Sequence, residues 1–114
     1  MKYIELYTGN DNKSHFKEVE STHGSNEPLG CYSLPYAVQS MFFREFNAGA
    51  HFDWHTAPRP QYIIYLEGEV EVETSSGEKC IFKAGDILFA NDLSGEGHRT
   101  KTLSVGRSIV ITAA

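Results

Sequence analysis

The chain has little of several things, and each shortage closes off a class of explanation. Among 114 residues there are two cysteines, Cys31 and Cys80, far apart and in no C-x-x-C arrangement. Spacing therefore supports neither a redox pair nor a zinc knuckle; both are read as reduced and mostly buried, Cys80 with a packing role. Apolar runs are short: none approaches the roughly 20 residues that a bilayer-spanning helix requires, and MKYIELYTGN lacks the apolar core of a signal peptide. The expected location is the cytoplasm, with no membrane partner. Positive charge is also scarce. Ten Lys and Arg stand against fifteen Asp and Glu, a net charge of −5, and no stretch gathers enough cations to neutralise a run of phosphates, so nucleic acid is not an expected partner. There is no convincing long helical period, no internal repeat and no linker. A chain of this length is expected to form one domain, residues 1–114, with one pocket.

What the chain does have is a period of two, from about residue 38 onward, in short runs separated by Gly, Asn, Asp or Ser. In EVEVET the acids Glu69, Glu71 and Glu73 share one face while Val70, Val72 and Thr74 share the other, which predicts a strand wet on one side with the valines inward. SSGE at 75–78 predicts a hairpin in which Gly77 takes a positive φ. In KCIFKA, Cys80 and Phe82 alternate with Lys79, Ile81 and Lys83. ILFA, HRTKTL and RSIVIT read as further strands, and roughly eight to ten are expected in all. The fold class is all-β. Phe42, Phe43 and Phe46 are expected in the core, since a barrel this small needs bulk. Residues 1–37 hold one clean strand, YIELY, followed by a Gly-, Pro- and Ser-rich segment at 21–37 that either closes over the barrel mouth or packs along its side.

GAHFDWHTAPRPQYIIYLEG resembles the first motif of the cupins, G-x5-H-x-H-x3-E-x6-G, with every spacing kept: Gly49 opens it, His55 takes the first His place, Ala57 the second, Gln61 the Glu place, and Gly68 closes it. The second motif, G-x5-P-x-G-x2-H-x3-N, begins at Gly85. Its His is best matched by His98, two residues late, and Asn91 and Leu93 replace Pro and Gly. DWHTAPRPQ and DLSGEGHRT together are similar to a subgroup of small single-domain cupins of the RmlC-like superfamily. The resemblance covers residues 38–112 and implies a cupin double-stranded β-helix, a jelly-roll antiparallel barrel.

It also implies a site on the inner barrel wall for one divalent metal, Fe, Mn, Zn or Ni, normally held by three His and one Glu. Here the matching positions supply His55, Gln61 and His98, a set weakened by the missing imidazole and carboxylate. Strand parity offers a third strong donor: Asp53 lies two residues before His55, and His51 shares that parity provided no bulge intervenes. Asp53, His55 and His98 would then be a two-His-one-carboxylate set. Arg59 and Arg99 flank candidate pocket residues and are ligand-contact candidates through their guanidinium forks. Tyr65 shares the parity of Gln61 and is a third. Trp54 should point outward. The function expected is binding of a small molecule at an incomplete metal site, as in a metal-dependent oxygenase or isomerase, or in a metal-free variant with a His as general base. The alternative is a non-catalytic module that binds or senses a metabolite without metal. Resemblance to small cupins further implies a homodimer, with YIELY pairing across to the partner barrel.

Overall fold

The computed structural model describes residues 1–114. Twelve strands account for the regular structure: β1 (Lys2–Thr8), β2 (Ser14–Glu20), β3 (Ser25–Glu27), β4 (Gly30–Tyr32), β5 (Val38–Phe46), β6 (His51–His55), β7 (Gln61–Glu67), β8 (Val70–Thr74), β9 (Lys79–Phe82), β10 (Ile87–Asn91), β11 (His98–Thr102) and β12 (Gly106–Ala113). No helix is long and apolar enough to cross a membrane.

Six strands form one sheet in the order β2-β1-β10-β7-β12-β5, and four form a second in the order β6-β11-β8-β9, while β3 and β4 make a small separate hairpin. The inner faces of the two sheets enclose the core. It consists of Leu6, Ile63, Tyr65, Val70, Val72, Phe82 and Leu88, with Ile4, Phe16, Phe46, Cys80 and Val110 packed against it. The alternation of EVEVET is realised as expected: Val70 and Val72 are buried, while Glu71 and Glu73 face outward and meet Lys101 and Arg99 of β11 at 3.5 and 2.8 Å. Gly77 takes its positive φ in the β8–β9 turn, where its N–H bonds the Thr74 carbonyl at 3.0 Å.

Three expectations are corrected. Phe43 is 79% exposed and Phe42 is also exposed, because β5 is the edge strand of the larger sheet: Phe43 lies on its outer face, and Phe42 has no further strand beyond it. Of the three phenylalanines only Phe46 joins the core. Second, β1 is an interior strand. It pairs antiparallel with β2 and parallel with β10, the one parallel pairing in the molecule, so it has in-chain partners on both sides and no free edge to exchange with another copy. Third, Cys31, expected to be mostly buried, is exposed, because β4 belongs to the small hairpin outside both sheets. Of the two placements open to residues 21–37 the structure shows the second: none of them lines the cavity between the sheets. The segment packs along the side of the barrel, where the Tyr36 ring meets Tyr62 edge-on at 6.0 Å and the Ala37 carbonyl accepts the Ala114 N–H at 3.2 Å.

Candidate functional site

A cavity of about 350 Å³ lies between the sheets. The larger sheet contributes Arg44 from β5, Gln61, Ile63 and Tyr65 from β7, and Leu88 and Ala90 from β10. The smaller sheet contributes Phe52 and His55 from β6, Val72 from β8, and His98 and Thr100 from β11, and the loop Thr56–Pro58 completes the wall. Ile63, Val72, Leu88 and Ala90 make its floor apolar, and no carboxylate lines it.

The two imidazoles meet because His98 is directly opposite His55 in the β11–β6 ladder, which brings their rings to 4.3 Å between centroids. Gly97 makes this approach possible. A Cβ there would run into the His55 carbonyl oxygen, and its φ of 77° is one that side-chain-bearing residues rarely adopt. Each imidazole is then fixed through Nδ1. His55 Nδ1 lies 2.7 Å from the Asp53 carbonyl oxygen, which can only accept, so Nδ1 carries the proton and Nε2 is the acceptor of the neutral ring. His98 Nδ1 lies 2.6 Å from Asp92 Oδ2, leaving His98 Nε2 likewise for the cavity. Burial holds the His55 pKa below its ordinary value; the Asp53 carbonyl opposes this and the neighbouring His98 adds to it.

Asp92 is fully buried, and the same Oδ2 also accepts the Ser14 hydroxyl at 2.6 Å, while Oδ1 has no partner. Its backbone carbonyl accepts the Ala57 N–H at 3.0 Å, so one residue ties together the β10–β11 loop, the loop after β6 and the start of β2. On the opposite wall, Arg44 Nε donates to Ser108 Oγ at 2.8 Å, and the guanidinium lies beside the Tyr65 hydroxyl. Burial pushes the Tyr65 pKa up to about 12, against the pull of Arg44.

His55, Gln61, Tyr65 and His98 therefore come together on the cavity wall as the spacing predicts. Asp53, His51, Arg59 and Arg99 do not. The β6–β11 register shifts, so that His98 faces His55 but Thr100 faces Phe52: two residues separate the inward positions where simple alternation allows one. Phe52 thus takes the inward place that parity reserves for Asp53. Asp53 and His51 turn to a cleft on the outer face, along with Glu71, Glu73, Lys79, Arg99 and Lys101. Arg99 pairs there with Glu73 at 2.8 Å and lies over the Trp54 ring at 4.8 Å, Trp54 pointing outward as expected. Arg59 stays exposed in the loop before β7 and is not part of the cavity wall. Removing Asp53 leaves two imidazoles and a neutral amide, one anionic donor short of the set that holds a first-row divalent ion firmly. Nowhere do three or more His, Cys, Asp or Glu side chains converge in a way that could hold one.

Sequence reasoning passed over Asp92, Ser14 and Arg44. Arg44 had a readable signal, a lone cation inside the apolar run MFFREF at the parity of Phe46. Asp92 and Ser14 had none, since their meeting spans 78 residues.

No family model matches the sequence, and no curated protein matches it. Solved structures do. An RmlC-like cupin from Shewanella frigidimarina aligns with a TM-score of 0.54 at 20% identity, over 74% of this chain and 70% of that one. A cupin-2 domain protein from the same organism aligns at 0.50 and 16%, over 65% and 69%. A putative ethanolamine utilization protein Q from Salmonella typhimurium aligns at 0.53 and 23%, over 99% and 95%. At such identities the likeness speaks to the fold.

Proposed function

From the premise that this chain is a small cupin-fold protein, we propose that it binds a small organic molecule between its sheets and that His98, held by Asp92, exchanges a proton with it, an isomerase-type chemistry without a metal. The observation that carries this is the buried 2.6 Å contact from His98 Nδ1 to Asp92. A carboxylate in that place fixes the tautomer, aims Nε2 into the cavity and stabilises the imidazolium that forms when Nε2 takes a proton. The apolar floor excludes water and strengthens each polar contact.

The test is proton NMR in D2O on a panel of small hydroxy- and oxo-compounds, both acidic and neutral. Loss of a C–H signal beside a carbonyl in the presence of the protein, slowed about a hundredfold or more in His98→Gln, is the expected outcome. Binding without exchange returns the protein to the non-catalytic alternative, a module that binds or senses a metabolite.

A second reading keeps the metal, favoured by one observation: both imidazoles have Nδ1 engaged and Nε2 free, as metal-bound histidines do. Plasma mass spectrometry on protein purified without chelators separates the two. Near-stoichiometric metal that disappears in His55→Ala and in His98→Ala would support the metal reading and overturn the metal-free one.

A further inference from the structure

Arg44 takes part in no ion pair, unlike Arg99 and Arg107. Its only close partners are neutral: the Ser108 hydroxyl, the Tyr65 hydroxyl and the Phe46 ring, 5.6 Å from the guanidinium carbon. It is half-buried on the wall of a cavity that no carboxylate lines, and the one buried acid nearby, Asp92, sits behind His98 with its Oδ2 already taken by two donors. A guanidinium partly withdrawn from water and left without an anion is a favourable place for something anionic to arrive. The Ser108 bond occupies Nε and leaves the two terminal nitrogens, the pair that can fork onto a carboxylate.

The facing wall has the opposite chemistry. Because both Nδ1 atoms are tied to acceptors, each ring turns only Nε2 to the cavity, and that atom is an acceptor whenever the ring is neutral. One wall presents a cationic donor and the other two acceptors, with an apolar floor of Ile63, Val72 and Leu88.

We infer that the ligand is a small carboxylate carrying a hydrogen-bond donor, a hydroxyl or an amine, at its other end. The carboxylate lies on Arg44, the donor on the paired Nε2 atoms, and the carbon skeleton on the floor between. This rests on the small-molecule reading of the cavity and names its ligand class.

The experiment titrates lactate, 3-hydroxybutyrate, β-alanine and 4-aminobutyrate, beside the amide of each and the donor-free butyrate, into protein with 13C-labelled Ile, Leu and Val methyls and 15N-labelled imidazoles. At least one hydroxy- or amino-acid should move the Ile63, Val72 and Leu88 methyls together with the His55 and His98 nitrogens. Its amide and butyrate should bind about tenfold or more weaker. Arg44→Gln should lose that binding, Arg44→Lys should keep part of it, and Arg99→Gln on the outer face should leave it unchanged. Amides or butyrate binding as well as the acids, or Arg44→Gln binding undiminished, overturns the assignment while the small-molecule reading stands. Silence from every compound, charged or neutral, overturns both.

Discussion

Asp92 takes two hydrogen bonds on one oxygen and none on the other, in a place with no access to water. Deleting it strands two buried donors, the Ser14 hydroxyl and the His98 Nδ1–H. Asp92→Ala should therefore lower the unfolding free energy by about 3 kcal/mol in a urea titration, and Ser14→Ala by only about 1 kcal/mol, since that variant leaves the charged bond in place. Equal losses would mean that Ser14, and not the imidazole, is the partner that matters. His55 makes a pH prediction. Its folded value lies below the ordinary 6.5, with burial the largest cause. As pH falls through 6.5 the unfolded chain gains this proton before the folded one does, so stability falls, and this contribution levels off below the folded value. Unfolding free energies measured from pH 7.5 downward should show that decline in the wild type and lack this part of it in His55→Gln. The two thiols should separate as well. Cys31 is exposed, whereas burial, and then the nearby Asp86, push the Cys80 thiol up. Iodoacetamide at pH 8 should modify Cys31 first, as read by peptide mass spectrometry.

At the scale of elements, β6 decides which side chains reach the cavity. Its motif spacing placed His55 correctly, because that spacing was matched against a pattern already tied to a barrel wall. The parity step from His55 back to Asp53 failed because two residues of β6, Asp53 and Trp54, oppose the single Arg99 of β11, and composition alone does not announce a bulge. Val72 and Gly77 were legible for the opposite reason, since an alternation or a turn needs only near neighbours. The loop before β11 yields a test. Gly97→Ala puts a methyl against the His55 carbonyl at a φ of 77°. It should cost about 3 kcal/mol of stability in a urea titration. It should also part the two imidazoles, visible as altered 15N shifts at both His55 and His98. An unchanged His55 spectrum would mean that the loop, and not β6, absorbs the displacement.

For the molecule as a whole, the two sheets have unlike exteriors. The smaller sheet's outer face is covered by charge pairs, Glu71 with Lys101 and Glu73 with Arg99. The larger sheet's outer face carries exposed Met41, Phe43 and Leu66 beside the half-buried Ile64, Ile109 and Ile111. A contiguous apolar face of this kind fits a two-fold contact with a second copy. Light scattering at micromolar concentration should give the mass of a dimer, and Phe43→Glu should give that of a monomer; a monomeric wild type would remove the dimer. The barrel itself was legible because alternation and turn residues recur along most of the chain. The joining of the N-terminal hairpin to β10 was not, because that pairing is parallel and spans more than 80 residues.

That long-range joining bears on how the protein is made. Ser14 leaves the ribosome 78 residues before Asp92. At roughly 5 to 20 residues per second this is a wait of roughly 4 to 16 s. Throughout it the β1 edge that will pair with β10 stays open, and the apolar Ile4 and Leu6 wait for the residues they pack against. The β1–β2 hairpin is thus the segment most open to misassociation during synthesis, and the His98 site is assembled only once Asp92 and His98 have emerged.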